Sequence, residues 1–279
     1  MKRTLYAPAK INLCLYVLAR RPDGYHDLAM LMQRISLFDE LTLSLTDRPG
    51  VRVVCEGLGL APGERNIAAR AAERMLALTG KNCGVEIVID KQIPVAAGLG
   101  GGSSDAAAVL KGLDQMLGAG LGRDRLRVEG ARLGADVPFF IFEQSAWATG
   151  IGDVLEPVEG LPPVWYLLVN PGVAVSTAWV YQNLRLTSPV DVAKLPRFPR
   201  TAGDLARFLS NDLERVTTAK YPVVEKVKSD LLSLGAAGAL MSGSGPTVFG
   251  VFEREEDAQR ALGAISREAG WRAFVVRPL

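Results

Sequence analysis

The sequence contains a single histidine, His26, and only three cysteines. One histidine excludes a metal centre built from clustered histidines, and any Ser-His or Cys-His nucleophile scheme would depend on that residue alone. The cysteines, Cys14, Cys55 and Cys83, lie far apart and match neither a disulfide framework nor metal-ligand spacing. We interpret them as reduced, mostly buried thiols of a cytoplasmic protein.

The sequence also lacks a long apolar run and an excess of charge of one sign. No uninterrupted apolar stretch approaches the roughly 20 residues that cross a bilayer, and residues 1–8 lack the apolar core of a signal peptide. The 32 Lys and Arg residues are nearly balanced by 30 Asp and Glu residues. We therefore expect a cytoplasmic protein that binds neither nucleic acid nor membrane, with its oligomeric state, monomer or weak homodimer, left open.

The most informative stretch is a glycine-rich loop that follows a predicted strand over residues 85–89. Four of the five residues 98–102 are glycine, and two serines, an aspartate and three alanines follow. Glycine reaches φ > 0, while Ser or Asp before a run of alanines is typical of a helix start. Such a loop points backbone N–H groups and a helix dipole at one place, which favours a phosphate site. The alternative is a tight connection without a ligand.

This loop differs from the familiar nucleotide-binding loops. No lysine follows the glycines before Lys111, so G-x-x-x-x-G-K-[ST] is absent. The fingerprint G-x-G-x-x-G, begun at Gly98, would need glycine where Ser103 stands. Neither D-F-G nor H-R-D, the protein-kinase motifs, occurs. The sequence therefore predicts a phosphate loop of another kind.

Three other places carry polar residues whose role the pattern leaves open. Lys10 and Asn12 share one face of a strand predicted over residues 5–18, and alternation with apolar residues favours a solvated face. Tyr25 and His26 follow a turn, where they serve either binding or packing with one hydrogen bond. Asp136 is either a cap or Asx-turn carboxylate, or a general base in apolar surroundings.

The remaining pattern mixes helices and strands. Asn66 is the expected N-cap of a helix that Gly80 ends, and helices are predicted near residues 222–234 and 255–269. Residues 185–204 have the composition of an extended loop. Residues 240–249 form a second glycine-rich turn, either a plain hairpin or a second lining of the phosphate site. The elements lack the regular spacing of a parallel βαβ array, so we predict an α+β fold.

Three motifs in order carry a family resemblance. P-A-K-I-N-L at 8–13, G-L-G-G-G-S-S at 98–104 and G-S-G-P-T at 243–247 resemble the GHMP kinase superfamily. The resemblance spans residue 5 to about residue 252 and is weak over roughly 185–205. It implies an ATP-binding domain over residues 1–152, a C-terminal domain over 153–279, and an active site in the interdomain cleft.

The long glycine loop, D-G-Y-H at 23–26 and G-A-D-V-P-F-F at 134–140 are similar to one branch of these kinases. That branch phosphorylates the tertiary 2-hydroxyl of a cytidine-diphosphate-linked methylerythritol, with ATP and Mg²⁺, on a route to isoprenoid precursors. The resemblance implies that Asp136 is the catalytic base and Lys10 its charged neighbour.

The resemblance also implies binding residues. The implied substrate-side residues are Asn12, Tyr25, His26, Thr177 and Tyr181. Of these, His26 would hydrogen-bond the cytosine, while Tyr25 and Tyr181 would stack on it. The implied ATP-side residues are Asn66, Lys91, Pro94, Gly98, Leu99, Gly100, Gly101, Gly102, Ser103 and Ser104. Either Ser103 or Ser104 would hold Mg²⁺, and the sequence identifies no acidic metal ligand.

Two other functions remain open from the sequence. One is a GHMP kinase for another small molecule, such as homoserine or mevalonate, against which the Tyr25-His26 pair and the extended glycine loop argue. The other is a non-catalytic nucleotide- or metabolite-binding protein, against which the presence of Lys10 and Asp136 argues.

Overall fold

The computed structural model describes residues 1–55, 66–186, 198–265 and 270–279 of the chain. They form two compact units, each made of separate stretches of chain. The first unit comprises Met1–Ala9, Leu37–Val95 and Gly100–Gln144, and the second comprises Lys10–Ser36, Ala96–Leu99 and Ser145–Leu279. The domain boundary expected after residue 152 stays a prediction.

The described residues mix strands and helices throughout, as an α+β fold requires. The strands are β1 (Lys2–Arg20), β2 (His26–Thr46), β3 (Gly50–Cys55), β4 (Gly84–Asp90), β5 (Ala146–Thr149), β6 (Val154–Pro157), β7 (Trp165–Asn170), β8 (Ser210–Asn211), β9 (Gly238–Met241), β10 (Val248–Phe252) and β11 (Arg272–Val276). The helices are α1 (Ile67–Thr79), α2 (Gly101–Met116), α3 (Gly122–Ala131), α4 (Val137–Phe142), α5 (Thr177–Asn183), α6 (Ala202–Phe208), α7 (Glu214–Lys220), α8 (Pro222–Ser233) and α9 (Glu255–Ile265).

The first unit packs helices against a sheet. Strand β4 pairs antiparallel with the second half of β2 and parallel with β3. Helix α1 packs on α2, and α4 packs on both α2 and α3. Helix α2 lies close to the sheet at Gly112, where an added Cβ would crowd the side chains of Leu5 and Leu43. The glycine therefore fixes how closely the helix that follows the glycine loop approaches its strands.

The second unit contains an antiparallel sheet in the order β11-β7-β10-β9. Helix α8 packs on β9 and β10, and α9 packs on β7 and β11. The helix predicted near 222–234 has Val224, Val227 and Leu231 buried, at the spacing of one helical face. The first half of β2 pairs with β5, β5 pairs with β6, and β8 pairs parallel with β1.

Most predicted elements and their ends are confirmed. The side-chain oxygen of Asn66 accepts a 2.8 Å hydrogen bond from the Ala68 N–H and so caps α1, which ends at Gly80 in the left-handed conformation. Cys14 is buried, Cys55 and Cys83 are half-buried, and all three are free thiols. No described helix combines the length and the apolar character needed to cross a membrane.

Two expectations about local structure are wrong, and a third is wrong at one end. The face of β1 that carries Lys10 and Asn12 is not solvated, since Lys10 is 4% and Asn12 0% exposed. Helix α2 is capped not by Ser or Asp but by Gly100, whose φ of 69° only glycine adopts easily, so two glycines lie inside its first turn. Helix α6 begins within the predicted loop over 185–204, whose residues 187–197 lie outside the described residues.

Candidate active site

The glycine loop leads directly into helix α2, which begins at Gly101. Gly98 and Gly100 have φ values of 75° and 69°, in the left-handed region that favours glycine. The first intrahelical bond runs from the Ser104 N–H to the Gly100 oxygen at 2.9 Å. The N–H groups before it begin the helix without intrahelical partners, and this is the arrangement that binds phosphate in other proteins.

The second glycine-rich turn is both a hairpin and a lining of the glycine loop. Strands β9 and β10 pair antiparallel on either side of it, as the hairpin interpretation requires. The Ser242 hydroxyl donates to the Gly98 oxygen at 2.9 Å, and the Thr247 N–H donates to the Ala97 oxygen at 3.4 Å. A Cβ at position 98 would overlap the carbonyl oxygen of Ser242, so the contact requires glycine there.

The N-terminal motif joins the same cluster of hydrogen bonds. The Lys10 N–H donates to the Leu99 oxygen at 3.0 Å, and the Asn12 N–H donates to the Ser242 hydroxyl at 3.3 Å. The Lys10 ammonium donates to the Asn12 side-chain oxygen at 2.6 Å. An added Cβ on Gly243 would lie 3.4 Å from the Asn12 side-chain oxygen, so the second glycine-rich turn lies against this side chain and contributes to its burial. The structure thus brings together Lys10, Asn12, Gly98 and Leu99 of the predicted site.

The remaining substrate-side residues of the second unit form two contacts. The rings of His26 and Tyr181 stack with centroids 5.0 Å apart and planes at 27°. The Thr177 and Ser244 hydroxyls are 2.8 Å apart, which connects α5 to the second glycine-rich turn. Tyr25 is 59% exposed. Burial, with a smaller contribution from the charge of Arg20, lowers the pKa of His26 below its ordinary value.

Asp136 lies at the N-cap position of α4, but its carboxylate makes no capping hydrogen bond. The alternative of a simple cap is therefore wrong. The side chain is half-buried and precedes the buried residues Val137, Phe139 and Phe140 of α4.

Two ATP-side residues of the first unit, Asn66 and Lys91, have structural roles. Asn66 caps α1, as described above. The Lys91 ammonium donates to Asp39 at 2.5 Å and to Asp105 at 2.8 Å, and its side chain is only 11% exposed. Burial by itself lowers the pKa of Lys91, but the two carboxylates outweigh burial and the net pKa is raised. Burial, opposed by Lys91 and reinforced by Asp39, raises the pKa of Asp105 to about 7.

The residues near α2 offer oxygen rather than nitrogen or sulfur to a metal ion. Ser104 is 1% exposed, and its hydroxyl oxygen has no hydrogen-bond partner among the described residues. Across the described ranges, no group of three or more His, Cys, Asp or Glu side chains could hold a metal ion. This donor set suits Mg²⁺, which takes few protein ligands and binds through phosphate oxygens and water.

Sequence reasoning missed several residues of the site. The Ser242 hydroxyl bonds to residues more than a hundred positions away, and nothing in the local sequence indicates these bonds. The Asn211 amide donates to the Met241 and Gly243 oxygens, both at 2.8 Å, and so holds the second glycine-rich turn. Asp39 did leave a signal, because it occupies an inward position of β2 between the buried residues Leu37 and Leu41.

Comparison with known proteins identifies the class. The model of the GHMP kinases N terminal domain matches residues 66–144, and that of the GHMP kinases C terminal domain matches residues 193–270. The chain belongs to the GHMP kinases, and it is therefore an ATP-dependent phosphotransferase. This agrees with the resemblance that the three motifs carry.

Full-length relatives narrow the class. The chain is 60% identical, over 98% of each chain, to the 4-diphosphocytidyl-2-C-methyl-D-erythritol kinase of Syntrophotalea carbinolica. It is 37% identical to a solved 4-(cytidine 5'-diphospho)-2C-methyl-D-erythritol kinase, with a TM-score of 0.81 and 99% of each chain covered. Among the GHMP kinases it belongs to this family. A homoserine kinase from Cytophaga hutchinsonii, 21% identical with a TM-score of 0.74 over 99% of this chain and 95% of the other, shares the fold.

The close contact at Gly98 predicts a large cost for a single methyl group. Alanine at φ 75° costs about 1–2 kcal/mol, and overlap with the Ser242 carbonyl adds about 1–3 kcal/mol. Gly118→Ala is the matched control, because Gly118 has φ 63° and no neighbour within 4 Å of an added Cβ. Urea denaturation should show Gly98→Ala to be the less stable variant, and equal stability of the two would contradict the contact.

The stacked pair predicts a measurable titration of the single histidine. Proton NMR should give His26 a pKa below the ordinary value of 6.5. Tyr181→Ala should raise that pKa towards 6.5, because the ring loses part of its burial. Trp179→Ala is the control, since Trp179 packs instead against the Lys220 ammonium, 3.8 Å from the ring centroid. A pKa at or above 6.5 in the unmodified protein would refute this description of the His26 surroundings.

Proposed function

We propose that the chain transfers the γ-phosphoryl group of ATP to the 2-hydroxyl of 4-diphosphocytidyl-2-C-methyl-D-erythritol. The observation that carries the proposal is that two distant motifs, through Asn12 and Gly98, bond to the hydroxyl of Ser242, the residue that directly precedes the third motif. The chain is also 60% identical to a kinase named for this compound. The reaction belongs to the methylerythritol phosphate route to isoprenoid precursors. We place it in the cytoplasm, as the sequence leads us to expect.

The phosphates of ATP are assigned to the glycine loop and the start of α2. The loop offers backbone N–H groups and the positive end of a helix dipole, and a triphosphate is a ligand that both favour. The nucleotide-side residues of the proposal are Asn66, Lys91, Pro94 and residues 98–104. The hydroxyls of Ser103 and Ser104 would hold Mg²⁺, which supplies neutralisation of phosphate charge when bound.

The acceptor is assigned to residues of the second unit. The cytosine of the substrate would be recognised by His26 and by the aromatic faces of Tyr25 and Tyr181, which are large, rigid surfaces for stacking. Asn12 and Thr177 would donate or accept hydrogen bonds to the sugar alcohol and its phosphates. The support for these roles is the stacking of His26 on Tyr181 and the contact of Thr177 with the second glycine-rich turn.

Two charged residues are assigned to the chemistry. The Asp136 carboxylate accepts the proton of the 2-hydroxyl as the oxygen attacks the γ-phosphorus and the bond to the leaving ADP breaks. The Lys10 ammonium supplies positive charge for the developing oxygen anion. Lys10 suits this task because its ammonium is buried and directed by Asn12, so its position is fixed before substrate binds.

Removal of the base should affect turnover and not ATP binding. Asp136→Asn retains shape but accepts no proton, so kcat should fall by about 10²-fold or more, the usual range for loss of a general base. The affinity for ATP should stay unchanged. Asp124→Asn is a control in the same unit, because the Asp124 side chain is 97% exposed. Steady-state kinetics and calorimetry measure both quantities, and near-normal turnover would remove Asp136 from the mechanism.

The reaction itself is tested by ADP release with Mg-ATP and a panel of acceptors. Turnover with 4-diphosphocytidyl-2-C-methyl-D-erythritol, and with neither homoserine nor mevalonate, is the expected result. Turnover with one of the other acceptors would retain the kinase chemistry and overturn the roles of Tyr25, His26 and Tyr181. No ADP release with any of the three acceptors would favour a non-catalytic binding protein.

A further inference from the structure

A cluster of three charged side chains lies in the first unit. Its members are Asp39 on β2, Lys91 just after β4 and Asp105 on α2. Asp39 is 0% and Asp105 4% exposed, so the cluster is almost wholly withdrawn from water. We call these three residues the Asp39 cluster.

The Asp39 cluster connects three segments of the chain: β2, the residues after β4 and helix α2. One oxygen of Asp39 accepts 2.8 Å hydrogen bonds from both the Gln92 and Ile93 N–H groups, and the other accepts the Lys91 ammonium at 2.5 Å. Lys91 in turn donates to Asp105 at 2.8 Å. The carboxylate of Asp39 thus fixes the segment that leads into the glycine loop, while Lys91 fixes the helix that leaves it.

The first turn of α2 rests directly on this cluster. An added Cβ at Gly101 would lie 3.0 Å from Ile93 Cγ2 and 3.2 Å from the Lys91 ammonium nitrogen. Contacts this close leave little space for a side chain at position 101. The absence of a side chain therefore lets the helix start settle onto Lys91 and Ile93, and the position of these two residues is set by Asp39.

The geometry points to Asp39, Lys91 and Asp105 as positioning residues that hold the glycine loop and the start of α2 in the arrangement that binds ATP. Lys91 then affects ATP binding through its ion pairs with Asp39 and Asp105, and it does not contact the nucleotide directly. This inference rests on the proposed function only in taking ATP as the ligand of the loop. It adds Asp39 and Asp105 to the residues on which ATP binding depends, and it changes the role of Lys91.

The charges of the cluster give the inference a distinctive signature. Removal of Lys91 takes the only cation of the Asp39 cluster away from its two carboxylates and leaves the buried Asp39 charge without its partner, which is costlier than losing a balanced pair. Asp39→Asn removes one of those carboxylates and keeps an oxygen for the Gln92 and Ile93 N–H groups. The variant with both Asp39→Asn and Lys91→Met should therefore bind ATP better than Lys91→Met alone, because the effects of substitutions within one network are not additive.

The experiment measures binding of the ATP analogue AMP-PNP by calorimetry, with kcat and the KM for ATP measured in parallel. Lys91→Met and Asp39→Asn should each weaken binding by about tenfold or more and raise KM more than they lower kcat, since misplaced groups lose binding geometry. Asp39→Asn with Lys91→Met should recover part of the affinity lost in Lys91→Met. Glu86→Gln, which breaks an exposed 3.1 Å ion pair with Arg52 on the same sheet, is the control and should bind as the unmodified protein does.

Other results would overturn the inference. If Lys91→Met weakens binding while Asp39→Asn leaves it unchanged or strengthens it, Lys91 contacts ATP directly. If every variant binds like Glu86→Gln, the Asp39 cluster does not position the loop. If Lys91→Met does not fold, Asp105→Asn, which keeps an oxygen for Lys91, replaces it in the comparison and should show the same change in KM. Failure of the unmodified protein to bind AMP-PNP would contradict the proposed function instead.

Discussion

The part of the site that lies in the second unit depends on the hydrogen bonds of the Ser242 hydroxyl. It accepts the Asn12 N–H and donates to the Gly98 oxygen, so a single group joins β1, the glycine loop and the second glycine-rich turn. Ser242 is 0% exposed, and an unpaired polar group there would cost roughly 1–3 kcal/mol. A hydroxyl suits this position because it both donates and accepts a hydrogen bond.

The two glycine-rich segments are also held together by close contacts of their backbones. Gly98 approaches the Ser242 carbonyl so closely that no Cβ fits, and an added Cβ on Gly243 would lie 3.3 Å from the Gly98 oxygen. The glycines of the two motifs therefore pack on each other as well as turning the chain. In the first unit, Gly101 similarly has Lys91 and Ile93 beneath it, so both ends of the glycine loop depend on glycine for close packing.

Local signals made much of the fold predictable. Asn66 and Gly80 gave the ends of α1, and apolar spacing gave the buried face of α8. Helices α5, α6 and α7 were missed because each has only seven residues, too few for an apolar period to stand out. The burial of Lys10 and Asn12 was not predictable from alternation, because these residues contact parts of the chain that are distant in sequence, Leu99 and Ser242.

The site was predictable to the extent that motifs could be matched. The resemblance of three motifs to the GHMP kinases named the right superfamily, and the structure brings Lys10, Asn12 and Gly98 together. The residues that hold them, Ser242 and Asn211, have long-range partners and carried no local signal. Asp39 could have been found, since a carboxylate at an inward position of a strand needs a buried partner.

The most direct measurement is phosphorus NMR of the product made from ATP and 4-diphosphocytidyl-2-C-methyl-D-erythritol. The 2-hydroxyl is tertiary, so a phosphate bound there has no hydrogen on the adjoining carbon. We expect one new phosphomonoester signal without splitting by such a hydrogen, formed in equal amount with ADP. A signal split by that hydrogen would place the phosphate on another hydroxyl, and release of inorganic phosphate alone would show that ATP is hydrolysed without transfer. Either result would contradict the proposed reaction.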